Sequence, residues 1–433
     1  MGPLAEKGGM LFRRVAGAEI VRVFSFTSLS TLVKMATGFI SVKIVAALIG
    51  PVGVALVGQL QNFAAIVMAL ASGGINNGIV KYVAEYKLQE RQVSAYIAVA
   101  WKITLACSLL AGVSMLLLHG ALSRWIMLSP DYGYVFIVFG CTVVLYALNA
   151  MLISVVNGFK QFKRYVAINI ANSLVGLAFT LGFVFALGLK GALISTVTYQ
   201  SVVFFITLWM LRQQSWFDRK VLRAKFSRLI AGRYFRYTLM TLTTASVVPV
   251  AQMLLRSYVI TRISPVEAGW WEAMNRVSAA YLLVITSSFG VYYLPRLSEL
   301  TDPQALRHEI FKAYKVIVPM MLLGGTLVYA MRYAVIHILY TPAFLPMSNL
   351  FAWQLAGDFF KICSWLLAFL MVAKSMTKTF IATEILFSLL YVGLGLLLVQ
   401  HGGSVVGLNQ AYLINYILYT LCMGFLFRKV IMI

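Results

Sequence analysis

A chain of 433 residues is long enough for two or three soluble domains, yet 61% of this one is hydrophobic, 11% is charged and its formal net charge is +23. Soluble domains carry about 25% charged and about 45–50% apolar residues, so this chain lacks the polar surface to stay in water. The composition excludes a disordered chain, a secreted disulfide scaffold and a cytosolic enzyme, and predicts an integral membrane protein.

Apolar stretches near the length that crosses ~30 Å of hydrocarbon fall, in chain order, at 22–47, 54–83, 93–118, 132–157, 165–187, 190–211, 235–261, 267–295, 313–337, 347–372, 379–400 and 404–427. The first run is longer than the apolar core of a secretory signal and has no convincing cleavage site after it. The connections are short and leave no room for an extramembrane domain. The expected fold is an all-α polytopic membrane protein with 12 transmembrane helices.

Lys and Arg set the orientation. Of the 36 basic residues, 27 gather at alternate segment ends, including Lys81, Lys160, Arg296, Lys374 and the cluster from Arg212 to Arg236. The opposite ends hold only Arg124, Lys190, Arg262 and Arg332. Cytoplasmic loops carry the basic excess, so both termini are expected in the cytoplasm. The charge is therefore a topology signal and a collar for anionic headgroups rather than a nucleic-acid footprint. Residues 212–234 place Leu222, Phe226, Leu229 and Ile230 at helical spacing between basic residues. They are expected to form an interfacial amphipathic connector between an N-terminal lobe, 1–211, and a C-terminal lobe, 235–433.

The two halves resemble each other at an offset of 214 residues. Arg22 matches Arg236, Thr27 matches Thr241, Ile49-Gly50-Pro51-Val52 matches Ile263-Ser264-Pro265-Val266, and Glu85 matches Glu299. These matches fall at equivalent topological points. Six spans return the chain to its starting side, so the two six-helix lobes are expected to be parallel repeats, a transporter plan that puts the substrate at the repeat interface.

Five basic residues lie inside predicted spans, where an ionisable group costs about 2.5–3.5 kcal/mol on insertion scales. Lys34 sits mid-span among Thr31, Thr37 and Ser41, too deep to reach water easily. Lys43 and Arg256 lie nearer a span end, where snorkelling competes with a cavity role. Glu272 and Arg276 are four apart and share a helix face, so they either pair or leave Arg276 as the functional cation. Gln59, Gln61 and Asn62 occupy the matching stretch of the second span, as cavity lining or as helix–helix bonds. Asp358 and Lys361 also share a face, as an internal pair or as a protonation or cation site. Glu384 stands alone on the eleventh span. The run Ser72-Gly73-Gly74-Ile75-Asn76-Asn77-Gly78 is a poor continuous helix, and Thr286-Ser287-Ser288-Phe289-Gly290 stands at its repeat position.

No constellation for chemistry is present. There is no Walker loop, GxSxG or HExxH, no CxxC among Cys107, Cys141, Cys363 and Cys422, and the histidines at 119, 308, 337 and 401 are scattered. The outer loops are too short for a glycan polymerase or ligase, which stays a distant alternative. What remains is a carrier with no cofactor and no metal. Its buried bases outnumber its buried acids, so the expected substrate is anionic. A cation-coupled multidrug exporter is the alternative, and it would favour acid over base in its cavity.

Several blocks carry a family resemblance. They are Ser30-Thr31-Leu32-Val33-Lys34 with Lys43, the loop Gly50-Pro51-Val52-Gly53, and Asn77-Gly78-Ile79-Val80-Lys81-Tyr82-Val83-Ala84-Glu85-Tyr86. To these are added Tyr293-Leu294-Pro295-Arg296-Leu297-Ser298 and Phe351-Ala352-Trp353-Gln354-Leu355-Ala356-Gly357-Asp358 with Lys361, Lys374 and Glu384. Over essentially its whole length the chain resembles the Wzx-type flippases of lipid III and O-antigen units, in the multidrug/oligosaccharidyl-lipid/polysaccharide (MOP) exporter superfamily. The resemblance implies a V of two lobes with helices 1, 2, 7 and 8 around a central cavity. It implies an undecaprenyl-diphosphate-linked oligosaccharide moving from cytoplasmic to periplasmic leaflet of the inner membrane, with Lys34, Lys81 and Arg276 meeting diphosphate or acidic sugars. Membrane lipids and a polysaccharide polymerase and chain-length regulator are the implied partners. One departure is Ala279, where common-antigen relatives carry a carboxylate.

Overall fold

The computed structural model describes residues 3–214, 216, 226–288, 293–300, 302–374 and 376–428, with side chains from residue 30 onward except at 236, 237, 240, 284, 287, 288, 294 and 295. Among these residues the chain is helical throughout, with no strand. The first half comprises α1 (Pro3–Ala71), α2 (Asn76–Tyr86), α3 (Glu90–Ile126), α4 (Gly133–Gly158) and α5 (Phe162–Leu211). The second comprises α6 (Arg228–Arg262), α7 (Pro265–Ser288), α8 (Leu294–Glu299), α9 (Pro303–Ala330), α10 (Arg332–Leu339), α11 (Phe351–Ala373), α12 (Thr377–Gly402) and α13 (Val406–Leu426). Part of the 212–234 connector, at 215 and 217–225, lies outside the described residues. Its last turns, from Arg228, are the beginning of α6.

Seven stretches among the described residues are long and apolar enough to cross a membrane: 30–71, 90–126, 130–158, 162–211, 303–330, 342–373 and 377–402. This is fewer than the apolar runs in the sequence, for two physical reasons. First, expected loops are bends. The stretches of 42 and 50 residues would reach about 60 and 75 Å at ~1.5 Å per residue, twice a bilayer core. Each is broken by one non-helical glycine, Gly50 (φ 64°) in α1 and Gly188 (φ 57°) in α5. A side chain at positive φ is strained, so these are the places where the chain can double back without a loop. Second, two helices, α7 and α13, are too polar to join the set, and α6 includes positions outside the described side chains. α7 carries Glu267, Glu272 and Arg276, and α13 carries Asn409, Asn415 and three tyrosines.

The interruptions recur in the two halves. Gly50 corresponds to the junction at Ile263–Ser264 before α7, and Gly188 to Gly403 (φ 60°) between α12 and α13. The sequence expectation of a broken helix at Ser72–Gly74 is met by two successive left-handed glycines, Gly73 and Gly74 (φ 64° and 65°).

Buried apolar residues form three clusters, and their distribution gives the shape. One is shared by both halves near the Gly50 end of the bundle. It joins Val54, Leu60 and Phe136 from the first half to Leu255, Trp271 and Phe351 from the second. At the opposite end, near Tyr86, the cores are separate. Ile79, Tyr96, Leu152 and Ile168 pack within the first half, joined by Trp216, Ile230, Ala231 and Tyr234 from beyond it. Leu297, Leu306, Leu366 and Met423 pack within the second. The halves are thus fused at the Gly50 end and have independent cores at the other. All four cysteines are free thiols.

Candidate functional site

Where the halves meet, the second arm of α1 packs between α6 and α7. Gln59 and Asn62 lie about 13–18 Å along that arm from the Gly50 bend at ~1.5 Å per residue. They face a charged cluster built from Arg256 on α6 and Glu272 and Arg276 on α7. The guanidinium of Arg256 donates through Nη2 to Glu272 Oε2 and through Nη1 to Gln59 Oε1 at 3.2 Å. Its plane lies over the Trp271 ring, 5.3 Å from the centroid. The other carboxylate oxygen of Glu272 accepts from Arg276 Nε at 2.8 Å. Arg276 Nη2 in turn donates across the junction to Gln61 Oε1 at 2.8 Å. Gln59 Nε2 donates to Ser257 Oγ at 2.9 Å, and Asn62 Nδ2 to Gln252 Oε1 at 3.1 Å.

Two guanidiniums share one carboxylate, so the cluster keeps a net positive charge. It is graded by depth. The side chain of Arg256 is 1% exposed, that of Glu272 9% and that of Arg276 20%. Removal of charge from water is tolerated only with pairing and hydrogen bonding, and Arg256 has both. Arg276 is the member that faces open space, so it is the one an arriving anion would meet. Of the alternatives open in the sequence, the Glu272–Arg276 pair is formed. Arg256 does not snorkel: it is sealed inside the junction. The amides act as helix–helix bonds.

The remaining predicted site residues lie apart from this cluster. Lys43 donates from Nζ to the carbonyls of His337, at 2.7 Å, and Tyr340, which ties α1 to the end of α10. Lys34 and Lys81 are exposed, Lys81 with its ammonium 5.5 Å from the Tyr82 ring centroid. No described contact joins either to Arg276.

The expected Asp358–Lys361 ion pair does not form. Asp358 is fully buried and is held instead by neutral donors: Ser278 Oγ at 2.6 Å, Tyr412 Oη at 2.7 Å, Gln354 Nε2 at 3.3 Å, and Tyr281 Oη. Four donors fill the acceptor capacity of a carboxylate, which leaves Lys361 free to turn away. Its ammonium lies over the rings of Trp365, Tyr412 and Tyr416, 5.2 to 5.6 Å from their centroids. The tyrosines around Asp358 escaped sequence reading. Their signal was present, as Tyr412, Tyr416 and Tyr419 recur at helical spacing along α13. Among the described residues no three His, Cys, Asp or Glu side chains converge as a metal site would need.

The fold is shared with solved transporters of the MOP superfamily. An inward-facing structure of a multidrug resistance MATE family transporter superposes with a TM-score of 0.75 at 15% identity, covering 93% of this chain and 95% of that one. An outward-facing structure of such a transporter gives 0.67 at 16% identity, with 95% of each chain covered. A MOP superfamily transporter from Pyrococcus furiosus gives 0.68 at 15% identity, covering 95% and 96%. At such identities the likeness establishes the fold.

The sequence comparisons go further. Residues 20–301 match the family of polysaccharide biosynthesis proteins. The lipid III flippases of Escherichia coli K12 and Shigella flexneri are each 30% identical over 409 residues, covering 94% of this chain and 98% of theirs. The chain belongs to the polysaccharide biosynthesis protein family.

Proposed function

We propose that this chain is a flippase for a lipid-linked oligosaccharide, an undecaprenyl-diphosphate glycan of the O-antigen or common-antigen kind. It moves the glycan from the cytoplasmic to the periplasmic leaflet of the bacterial inner membrane. The observation that carries the reading is the near full-length match to the lipid III flippases. The net-positive junction supports it, because a diphosphate is drawn to a guanidinium pair that would repel the organic cations of a drug exporter.

In this reading the bends at Gly50 and Gly188 make twelve crossings in two six-helix lobes, 1–211 and 235–433, joined through 212–234, with both termini cytoplasmic. The Tyr86 end, rich in Lys and Arg, faces the cytoplasm. The separate cores there are the open side of an alternating-access cycle, and the charged junction is its closed side. Arg276, with Lys34 and Lys81, receives the diphosphate. Arg256, Glu272, Gln59, Asn62 and Lys43 hold the closed junction together. Asp358, Lys361 and Glu384 belong to the second lobe's polar interior. The protein makes and breaks no covalent bond. A polymerase and a chain-length regulator would take the delivered glycan.

Translocation of a fluorescent polyprenyl-diphosphate glycan across proteoliposomes tests this. Arg276→Ala and Lys34→Ala should each slow it at least tenfold. Wild-type rates in both variants would refute the assignment.

A further inference from the structure

A cavity of about 490 Å³ lies within the second half, between α6, α7, α11, α12 and α13. It falls in the volume range of small-molecule sites. Its walls are aromatic: Trp365, Phe387, Tyr391, Tyr412, Tyr416 and Tyr419. Set among these rings are Lys361, Glu384, Asn275 and Asn415.

Two amide groups in this cavity are unspent. Among the described residues, Asn275 Nδ2 and Asn415 Oδ1 are buried without a hydrogen-bond partner, and Asn415 is only 5% exposed. Among the described residues, Lys361 donates no hydrogen bond, and no carboxylate lies within 4.0 Å of its ammonium, Glu384 included. An unsatisfied buried polar group costs about 1–3 kcal/mol, and natural interiors hold few of them. Two in one cavity, beside an ammonium with no carboxylate partner, therefore point to a guest that completes them.

The donor and acceptor pattern selects the guest. An alkyl chain would leave all four groups unpaired. A simple anion would face Glu384 and the Asn415 oxygen, and a simple cation would face Lys361 and the Asn275 amide. A hydroxylated ring both donates and accepts. Its C–H face, slightly positive, suits the negative faces of the surrounding aromatic rings. We propose that this cavity is a saccharide subsite that takes one sugar ring of the transported glycan, with Asn275, Asn415, Lys361 and Glu384 on its hydroxyls and the α11 and α13 rings against its C–H face. The proposal rests on the flippase reading and deepens it: the diphosphate is met by Arg276, and the glycan's identity is read inside the second half.

The experiment compares two probes, farnesyl diphosphate and N-acetylglucosaminyl-diphospho-farnesol, by calorimetry on the full chain in lipid nanodiscs. The sugar-bearing probe should bind at least about tenfold tighter, the worth of one or two buried hydrogen bonds. Asn415→Leu, which removes the acceptor, and Ser388→Phe, which fills the cavity, should each bring the ratio of affinities to within about twofold of one. A diazirine carried on the sugar should label wild-type peptides containing Trp365 or Tyr416, a result that does not depend on either variant folding. A ratio near one in the wild type, with both probes bound, overturns the subsite and leaves the flippase reading standing. A ratio retained in both variants, or labelling confined to other helices, also overturns it. If the wild type binds neither probe, the flippase reading falls and the subsite with it.

Discussion

Glu272→Gln isolates the energetics of the junction. Glu272 is 7% exposed and Arg256 is fully buried, and the single carboxylate bridges Arg256 and Arg276. Each charge-assisted hydrogen bond of this kind is worth about 1.5–3 kcal/mol, and stripping the partner from a buried ion costs about 3–5 kcal/mol. The substitution is close to isosteric, so packing should change little and the loss should be electrostatic, about 3–5 kcal/mol in all. The double variant Arg256→Met with Glu272→Met removes the stranded charge together with its partner. It should recover most of that loss, because a buried ion pair is often no better than apolar side chains of similar volume. Reversible unfolding in mixed micelles measures both. A Glu272→Gln penalty below about 1 kcal/mol would show that water reaches Arg256 and that the junction is not sealed. A double variant no more stable than Glu272→Gln would show that the pair contributes net stability.

Asp358→Asn puts an amide donor where Ser278, Tyr281, Tyr412 and Gln354 all donate. It should lower stability by about 2 kcal/mol or more, measured by the same unfolding assay. Gly269→Ala drives a methyl to 2.1 Å from the Pro51 carbonyl oxygen, whereas a methyl at Gly324 meets nothing within 4 Å. The first should cost about 1–3 kcal/mol, and the second should be neutral or stabilise by up to about 1 kcal/mol; equal effects would mean that α7 does not approach the Gly50 bend so closely. Thr238→Val keeps the side-chain shape but removes the donor to the Gly73 carbonyl, a 2.8 Å bond, and should cost about 1 kcal/mol with faster amide exchange around Gly73.

Much of this was legible from residue order. Apolar runs and the period of basic residues are set by the bilayer itself, so they survive in a single sequence. Charges at depth are rare enough that Arg276 and Asp358 stood out without a structure. The 214-residue offset pointed to equivalent breaks because a reversal in the chain needs glycine or proline at the same place in each half. Partners across helices were not legible. Glu272 could be paired with Arg276 from their spacing, but its bond to Arg256 depends on how α6 crosses α7. The spacing of Asp358 and Lys361 suggested a salt bridge that local neutral donors replace. The asparagines of the second half's cavity look like any polar residue in a span until their lack of partners is seen.

The contact at Thr238 has a mechanical consequence. In sequence the halves divide at the connector, yet Tyr234 packs edge-on against Tyr82 and Tyr96, and Arg233 reaches the hydroxyls of Tyr86 and Tyr96. The first three turns of α6 are therefore riveted to the half that precedes them. A rocking movement that preserves this rivet has to flex within α6 itself, beyond Thr238 and before Arg256 is gripped by the junction. Pro249 lies in that interval, where its missing amide hydrogen leaves one backbone bond unmade. The covalent seam between the halves and the axle about which they turn are then different places, with Pro249 lying fifteen residues beyond the end of the connector along one continuous chain.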